Sequence, residues 1–159
     1  MSTSYPTNTT DHAAAAAEIE SARTVVYPWL CDWMGHLATQ HYMKIFDDAT
    51  CHLLGHLGYR LVDALRTHRG WADVSHAIEY RRELVAGDLV VACSGVKRVG
   101  TTSLSYSTRL VRATTPSETC ALLNGVMVHF DLTARRAIEL PDAIRFAAER
   151  LLARLGSAS

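Results

Sequence analysis

The stretch Thr39-Gln40-His41-Tyr42-Met43-Lys44-Ile45-Phe46-Asp47-Asp48-Ala49-Thr50-Cys51-His52-Leu53-Leu54-Gly55-His56-Leu57-Gly58 decides the fold. Tyr42, Ile45, Phe46, Ala49, Leu53 and Leu57 recur at steps of 3, 1, 3, 4 and 4, the period of one face of an α-helix. Thr39 suits the N-cap and Gly58 the C′ position, so the spacing predicts a helix over Thr39–Leu57. Met43, Cys51 and Leu54 make its other sides moderately apolar, which predicts a well-buried helix.

Upstream, Arg23–Tyr27 contains Thr-Val-Val-Tyr and reads as a first strand. Pro28 ends it, and an irregular turn through Asp32 and Gly35 follows. Residues 1–21 are rich in Ser, Thr and Ala and read as a mobile tail, with a short helical piece around Ala13–Glu20. Downstream, Tyr59–Gly70 is a connector with room for a short helix. Four extended segments come next: Ala72–Leu84, Leu89–Val99, Thr102–Ala113 and Glu118–Leu132. In the first, Val74, His76, Ile78 and Tyr80 alternate with polar neighbours; in the third, Leu104, Tyr106, Thr108 and Leu110 do so. Turns fall at Ala86-Gly87-Asp88, Gly100-Thr101 and Thr114–Ser117, and Asn124-Gly125 suggests a bulge inside the fourth segment. Pro141–Leu155 reads as an amphipathic helix with Ile144, Ala148, Leu151, Leu152 and Leu155 on one face and Asp142 in its first turn. The order strand, long helix, four long strands, helix predicts an α+β layer fold, with a single domain over 22–159.

The bulk numbers narrow the function. At 159 residues and 48% hydrophobic, the chain buries a core without disulfide or metal staples. Sixteen Lys and Arg balance sixteen Asp and Glu, so no basic field exists to draw in nucleic acid. Cys31, Cys51, Cys93 and Cys120 form no CxxC pair and suit no zinc module; they read as core thiols of a reducing cytoplasm. No signal peptide or membrane span is visible, since the Ala13–Ala17 run is too short.

Candidate chemistry centres on Cys31-Asp32-Trp33-Met34-Gly35-His36-Leu37-Ala38-Thr39-Gln40. A carboxylate just upstream of a helix start sits beside free backbone N–H donors, and acyl transfer needs both an oxygen to attack and dipoles to hold an oxyanion. Asp32 equally suits a turn residue satisfying local N–H groups. Gly35 permits an unusual turn and a close ligand approach. His36 either bonds within the turn or lines a pocket. Thr39 caps the helix or offers a hydroxyl, and Tyr42 opens the apolar stripe. On the helix, Asp47 and Asp48 project off the core stripe on opposite sides. His41, Asp48, His52 and His56 share one flank with i, i+4 spacing, but Leu53 stands where a HExxH zinc motif needs Glu; no metal is expected.

From Val25 to Gly58 the chain resembles the acyl-CoA thioesterases of the hotdog superfamily, the branch that includes 4-hydroxybenzoyl-CoA thioesterase. Asp32, Gly35, His36, Tyr42, Phe46, Asp47 and Ala49 stand at the places of the family's Asp-x-x-Gly-His core, its Tyr and its Phe-(Asp/Glu)-x-Ala helix. Ile78-Glu79-Tyr80, Glu83 and Gly87-Asp88 look like the family's second strand and turn. The likeness extends to about Leu140. It implies a hotdog fold: a long central helix on an antiparallel sheet of about five strands, with the C-terminal helix read above.

The resemblance further implies hydrolysis of a coenzyme A thioester, with Asp32 as nucleophile or general base and the amides near Ala38–Gln40 as the oxyanion hole. Gly35, His36, Thr39 and Gln40 complete that site, with Asp48 as the alternative nucleophile. Tyr42, Lys97, Arg98 and Ser103 are the candidate substrate-binding residues, the basic pair and the Gly100–Ser103 turn for the coenzyme's phosphates. Arg81, Arg82 and Arg135-Arg136 are further basic pairs. The implied partners are an acyl-CoA and a second copy of the chain, as a homodimer or homotetramer, with no cofactor beyond the coenzyme A of the substrate. Ala38-Thr39 departs from the Asn-Asn or His of many relatives, removing a side-chain donor beside the thioester. Two other readings fit the same order of elements: a hotdog dehydratase or hydratase, and a non-catalytic acyl-CoA-binding domain.

Overall fold

The computed structural model describes residues 18–156. Strand β1 (Ile19–Val25) leads through a single 3-10 turn at Pro28–Leu30 to helix α1 (Thr39–His56). A short helix α2 (Asp63–Thr67) precedes β2 (Arg69–Tyr80), β3 (Leu89–Val99), β4 (Ser103–Arg112) and β5 (Thr115–Asp131). A two-residue strand β6 (Arg136–Ala137) and helix α3 (Asp142–Gly156) complete the described chain. The sheet runs β1-β3-β4-β5-β2, antiparallel throughout, with β6 added to β5. With α1 lying against it, this is the hotdog fold.

The predicted stripe is the buried face of α1. Tyr42, Ile45, Phe46, Ala49, Leu53 and Leu57 all join one core with Leu104, Tyr106, Leu110, Leu123 and Met127 of the sheet. Each large side chain buried this way contributes about 1.5–3 kcal/mol. Leu54 is buried too, in keeping with the helix's apolar flanks. Gly58 adopts φ +93°. Around it the Tyr59 N–H meets the Leu54 carbonyl at 2.9 Å and the Gly58 N–H meets that of Gly55 at 3.0 Å, a Schellman ending. On α3, Ile144, Ala148 and Leu151 enter the same core, and the helix packs on β3.

Four details of the sheet differ from the sequence reading, the plainest being that β2 runs over Arg69–Tyr80 rather than Ala72–Leu84. The first strand begins at Ile19 rather than Arg23, because Ser21 bonds the Ser94 hydroxyl at 2.7 Å and Glu18 pairs with Arg109. The tail expected over 1–21 therefore gives up its last three residues to β1, and the helical piece expected over Ala13–Glu20 meets strand at Ile19 and Glu20; the rest of both lies outside the described residues. Asn124-Gly125 is no bulge. Its register with β2 and β4 is continuous, and the nearby shift falls on β2 between Asp73 and Ser75. Gly125 serves packing instead: it faces Tyr106, and a Cβ there would lie 2.5 Å from the ring. Finally, the β4–β5 turn occupies Ala113-Thr114, so Pro116 and Ser117 already belong to the strand.

Candidate functional site

Residues 31–37 form a tight loop. Cys31 and Leu37 face each other across an antiparallel bridge, the Asp32 N–H meets the His36 carbonyl at 2.8 Å, and the Gly35 N–H meets that of Asp32 at 3.0 Å. Gly35 turns the chain at φ +83°, and no atom lies within 4 Å of where a Cβ would stand. Its role is thus the left-handed backbone angle, not room for a close neighbour. The half-buried Asp32 accepts the backbone N–H of Met34 at 2.8 Å and that of His36 at 3.2 Å, both on Oδ1. Among the described residues Oδ2 takes no hydrogen bond. The turn role and a free carboxylate oxygen coexist in one side chain.

The loop is stitched to the segment between β2 and β3. The Leu37 N–H meets the Leu84 carbonyl at 2.7 Å, and His36 bridges Val85. His36 Nε2 lies 3.3 Å from the Glu83 carboxylate. Below this contact, Asp88 Oδ2 accepts the Val85 N–H at 2.9 Å and Arg112 Nε at 2.9 Å. Arg112 also donates to the Glu83 carbonyl. An ion pair at the end of β4 thereby holds the strip on which the Asp32 loop rests. The sequence reading missed this clamp. Its signal was Gly87-Asp88, read as a turn only, with the partner Arg112 distant in the chain.

At the start of α1, Ala38 is the N-cap and no side chain caps the helix. Thr39 is the first helical residue, a correction to its reading as the cap; its hydroxyl closes no turn. The Ala38 N–H is spent on the Leu30 carbonyl at 2.9 Å. This leaves Thr39 and Gln40 as the amides that helix geometry frees, and their residues are exposed. The Gln40 side chain meets the His41 ring at 3.4 Å.

Other candidates lie elsewhere. Tyr42 is buried, its ring edge-on to Tyr80 at 5.0 Å, and burial pushes its hydroxyl up to about 12. Asp48 pairs with Lys44 at 2.6 Å and lines a cavity of about 290 Å³ beside β1, with Tyr27, Trp29, Leu37 and His41. Asp47 lines a different cavity of about 300 Å³, on the β2 side, with Trp71 and Asp73. The two carboxylates do take opposite flanks of α1. The flank histidines do not gather, for His56 instead faces α3, and among the described residues no three His, Cys, Asp or Glu side chains converge as a metal site. Lys97 and Arg98 are exposed toward the end of β3 remote from Leu89. Lys97 lies eight residue steps along the strand from Leu89, about 26 Å. Ser103 sits at that same far end, its carbonyl bonded to the Gly100 N–H at 2.8 Å. Within one chain, these substrate-binding candidates and the Asp32 loop are therefore apart.

A family model described as thioesterase-like superfamily matches residues 26–148. No curated protein matches the chain. Among solved structures, SAV2348 of Staphylococcus aureus, determined in complex with CoA, superposes with a TM-score of 0.78 at 15% identity, covering 86% of each chain. PA5185 of Pseudomonas aeruginosa gives 0.75 at 20% identity, covering 86% of this chain and 94% of its own. Slr0204, a 1,4-dihydroxy-2-naphthoyl-CoA thioesterase of Synechocystis, gives 0.72 at 15%, covering 81% and 94%. At these identities the likeness is one of fold.

Proposed function

Because the chain belongs to the thioesterase-like superfamily, we propose that it hydrolyses the thioester of an acyl-CoA at the Asp32 loop. The observation that carries this reading is the division of labour within Asp32: Oδ1 holds the loop while Oδ2 stays free, one bridge away from the uncapped start of α1. In the general-base route, Oδ2 takes a proton from water as the water oxygen attacks the carbonyl carbon. In the nucleophilic route, Oδ2 itself attacks, the coenzyme A thiolate leaves, and water then cleaves the mixed anhydride. In both, the Thr39 and Gln40 amides receive the developing oxyanion. One such donor is worth about 3 kcal/mol in the transition state. The missing side-chain donor at Ala38-Thr39 leaves this role to the backbone.

No metal or redox cofactor enters either route. The enzyme works as a homodimer or homotetramer in the cytoplasm, where acyl-CoA is available. Across such an assembly Lys97 and Arg98 of a partner copy reach the coenzyme's phosphates.

The test is free-thiol release across a series of acyl-CoA chain lengths, with wild type and Asp32→Asn. Wild-type turnover with loss in the variant supports the reading; equal rates exclude Asp32. Single-turnover hydrolysis in heavy-oxygen water then separates the routes, because only the anhydride route carries label into the Asp32 carboxylate.

A further inference from the structure

The tip of the Asp32 loop carries little packing: Trp33 is 92% exposed and Met34 55%. The place of the carboxylate is therefore set at the base of the loop, where it meets residues 83–85. There the Leu37 N–H meets the Leu84 carbonyl at 2.7 Å and His36 bridges Val85. His36 is also the residue whose backbone N–H holds Asp32 Oδ1 and whose carbonyl accepts the Asp32 N–H at 2.8 Å. Moving residues 83–85 moves His36, and with it the carboxylate.

Residues 83–85 lie outside the named strands, with a single bridge at Val85. Individual contacts fix them instead. Leu84 is buried in the core. On either side of it a backbone polar group ends on one ion pair. The Val85 N–H meets Asp88 Oδ2 at 2.9 Å, and the Glu83 carbonyl accepts from the Arg112 guanidinium. Arg112 Nε meets the same Asp88 oxygen at 2.9 Å. The two side chains are 25% and 17% exposed, so salt and water screen this pair less than a surface one.

Arg112 is the last residue of β4. Its backbone is in register with Val90 on β3 and with Thr115 on β5, so the guanidinium is carried by a strand flanked on both sides. The planar fork supplies two donors at a fixed angle, one for the Asp88 carboxylate and one for the Glu83 carbonyl. A lysine ammonium reaches the carboxylate but, on its flexible stem, does not fix the second bond.

We infer that Arg112 is a positioning residue for the reaction at the Asp32 loop, acting on the carboxylate through residues 83–85 and His36. This rests on the thioesterase reading of that loop. A misplacement of about 1 Å at the attacking group costs about 100-fold in rate, so the effect of Arg112 falls on kcat rather than on KM.

Two measurements on Arg112→Gln and Arg112→Lys test the inference, with circular dichroism as the check of folding. The first is hydrogen exchange at the His36 and Leu37 amides, read beside the amides of the β4–β5 ladder so that a general loss of stability is seen separately. Exchange at both loop amides is expected to be at least about ten-fold faster in Arg112→Gln, with Arg112→Lys between it and wild type. The second is a double-mutant cycle with Asp32→Asn in free-thiol release. Arg112→Gln alone is expected to lower kcat by about 10- to 100-fold with KM within about two-fold, and to cost nothing further on the Asp32→Asn background. The inference is overturned if the loop amides of Arg112→Gln exchange as in wild type, if kcat is unchanged while Asp32→Asn is impaired, or if the loss of kcat persists in full on the Asp32→Asn background. If Asp32→Asn turns over as wild type does, the Asp32 reading fails instead, and loop exchange alone decides whether Arg112 holds the loop. Should Arg112→Gln not fold, Arg112→Lys carries both comparisons with smaller effects.

Discussion

The His36 backbone N–H reaches the Asp32 carboxylate at 3.2 Å through Oδ1, the same oxygen that accepts Met34. The loop thus uses half of the carboxylate and leaves the other half to chemistry. Asparagine keeps an oxygen for those two bonds but is neither a base nor a nucleophile. Asp32→Asn is expected to lower thiol release at least about 100-fold, with stability within about 0.5 kcal/mol of wild type. Asp32→Ala loses the loop bonds as well and falls by about a further 1 kcal/mol. Steady-state kinetics beside urea unfolding read both.

Gly125 stands opposite Tyr106 in the β4–β5 register, and the ring fills the space a methyl would take. Gly125→Ala is expected to destabilise the fold by about 1–3 kcal/mol through overpacking. Shortening the opposing side chain in the double variant Gly125→Ala/Tyr106→Leu should recover part of that loss, since the two positions are in contact. Urea midpoints for the two single variants and the double variant measure the coupling.

Arg109 and Glu18 form a paired fork, with Nη2 2.7 Å from Oε2 and Nε 3.0 Å from Oε1. Their side chains are 8% and 4% exposed. Glu18→Gln removes the charge that this guanidinium grips and is expected to destabilise by about 3 kcal/mol. Replacing both, as Glu18→Leu/Arg109→Met, should destabilise less than the single change. Thermal and urea unfolding of the pair of variants give the comparison.

Burial pushes the Tyr106 hydroxyl up to about 12, against 10.0 for an ordinary tyrosine; Tyr42 shifts likewise. A pKa raised on folding contributes stability that is complete below the unfolded value and lost as pH rises through the folded one. Stability should therefore fall between about pH 10 and pH 12. Tyr106→Phe should flatten part of that slope. Unfolding followed by circular dichroism across this range, with tyrosinate absorbance alongside, decides it.

Much of this arrangement was legible from local pattern. The stripe from Tyr42 to Leu57 has one face to bury and one period to do it with, and β3 was read to its end residues. The misreadings share a cause: the deciding partner was far along the chain. Gly125 looked like a bulge because Tyr106, the ring it accommodates, is on another strand. The local pattern starts β1 at Arg23 because Ser94 and Arg109, which hold Ser21 and Glu18, lie beyond two helices. Residue type favours Thr39 as the cap, whereas the backbone path set by Leu30 and Ala38 puts the cap one residue earlier, at Ala38. The Asp32 loop was located by its Gly35 and by the helix behind it. The Arg112–Asp88 clamp that supports the loop could not be read from either.

The position of β1 also constrains how the chain assembles during synthesis. Among the described residues its ladder is with β3 alone, and Glu18 pairs with an arginine on β4. When the amino-terminal segment leaves the ribosome, the whole of α1 and β2 must follow before its first backbone partner exists. Until then β1 has no sheet to join, and an unpaired strand is open to association with other chains. The ion pair to Arg109 ties this edge strand to β4, so it can close only once β4 has been made.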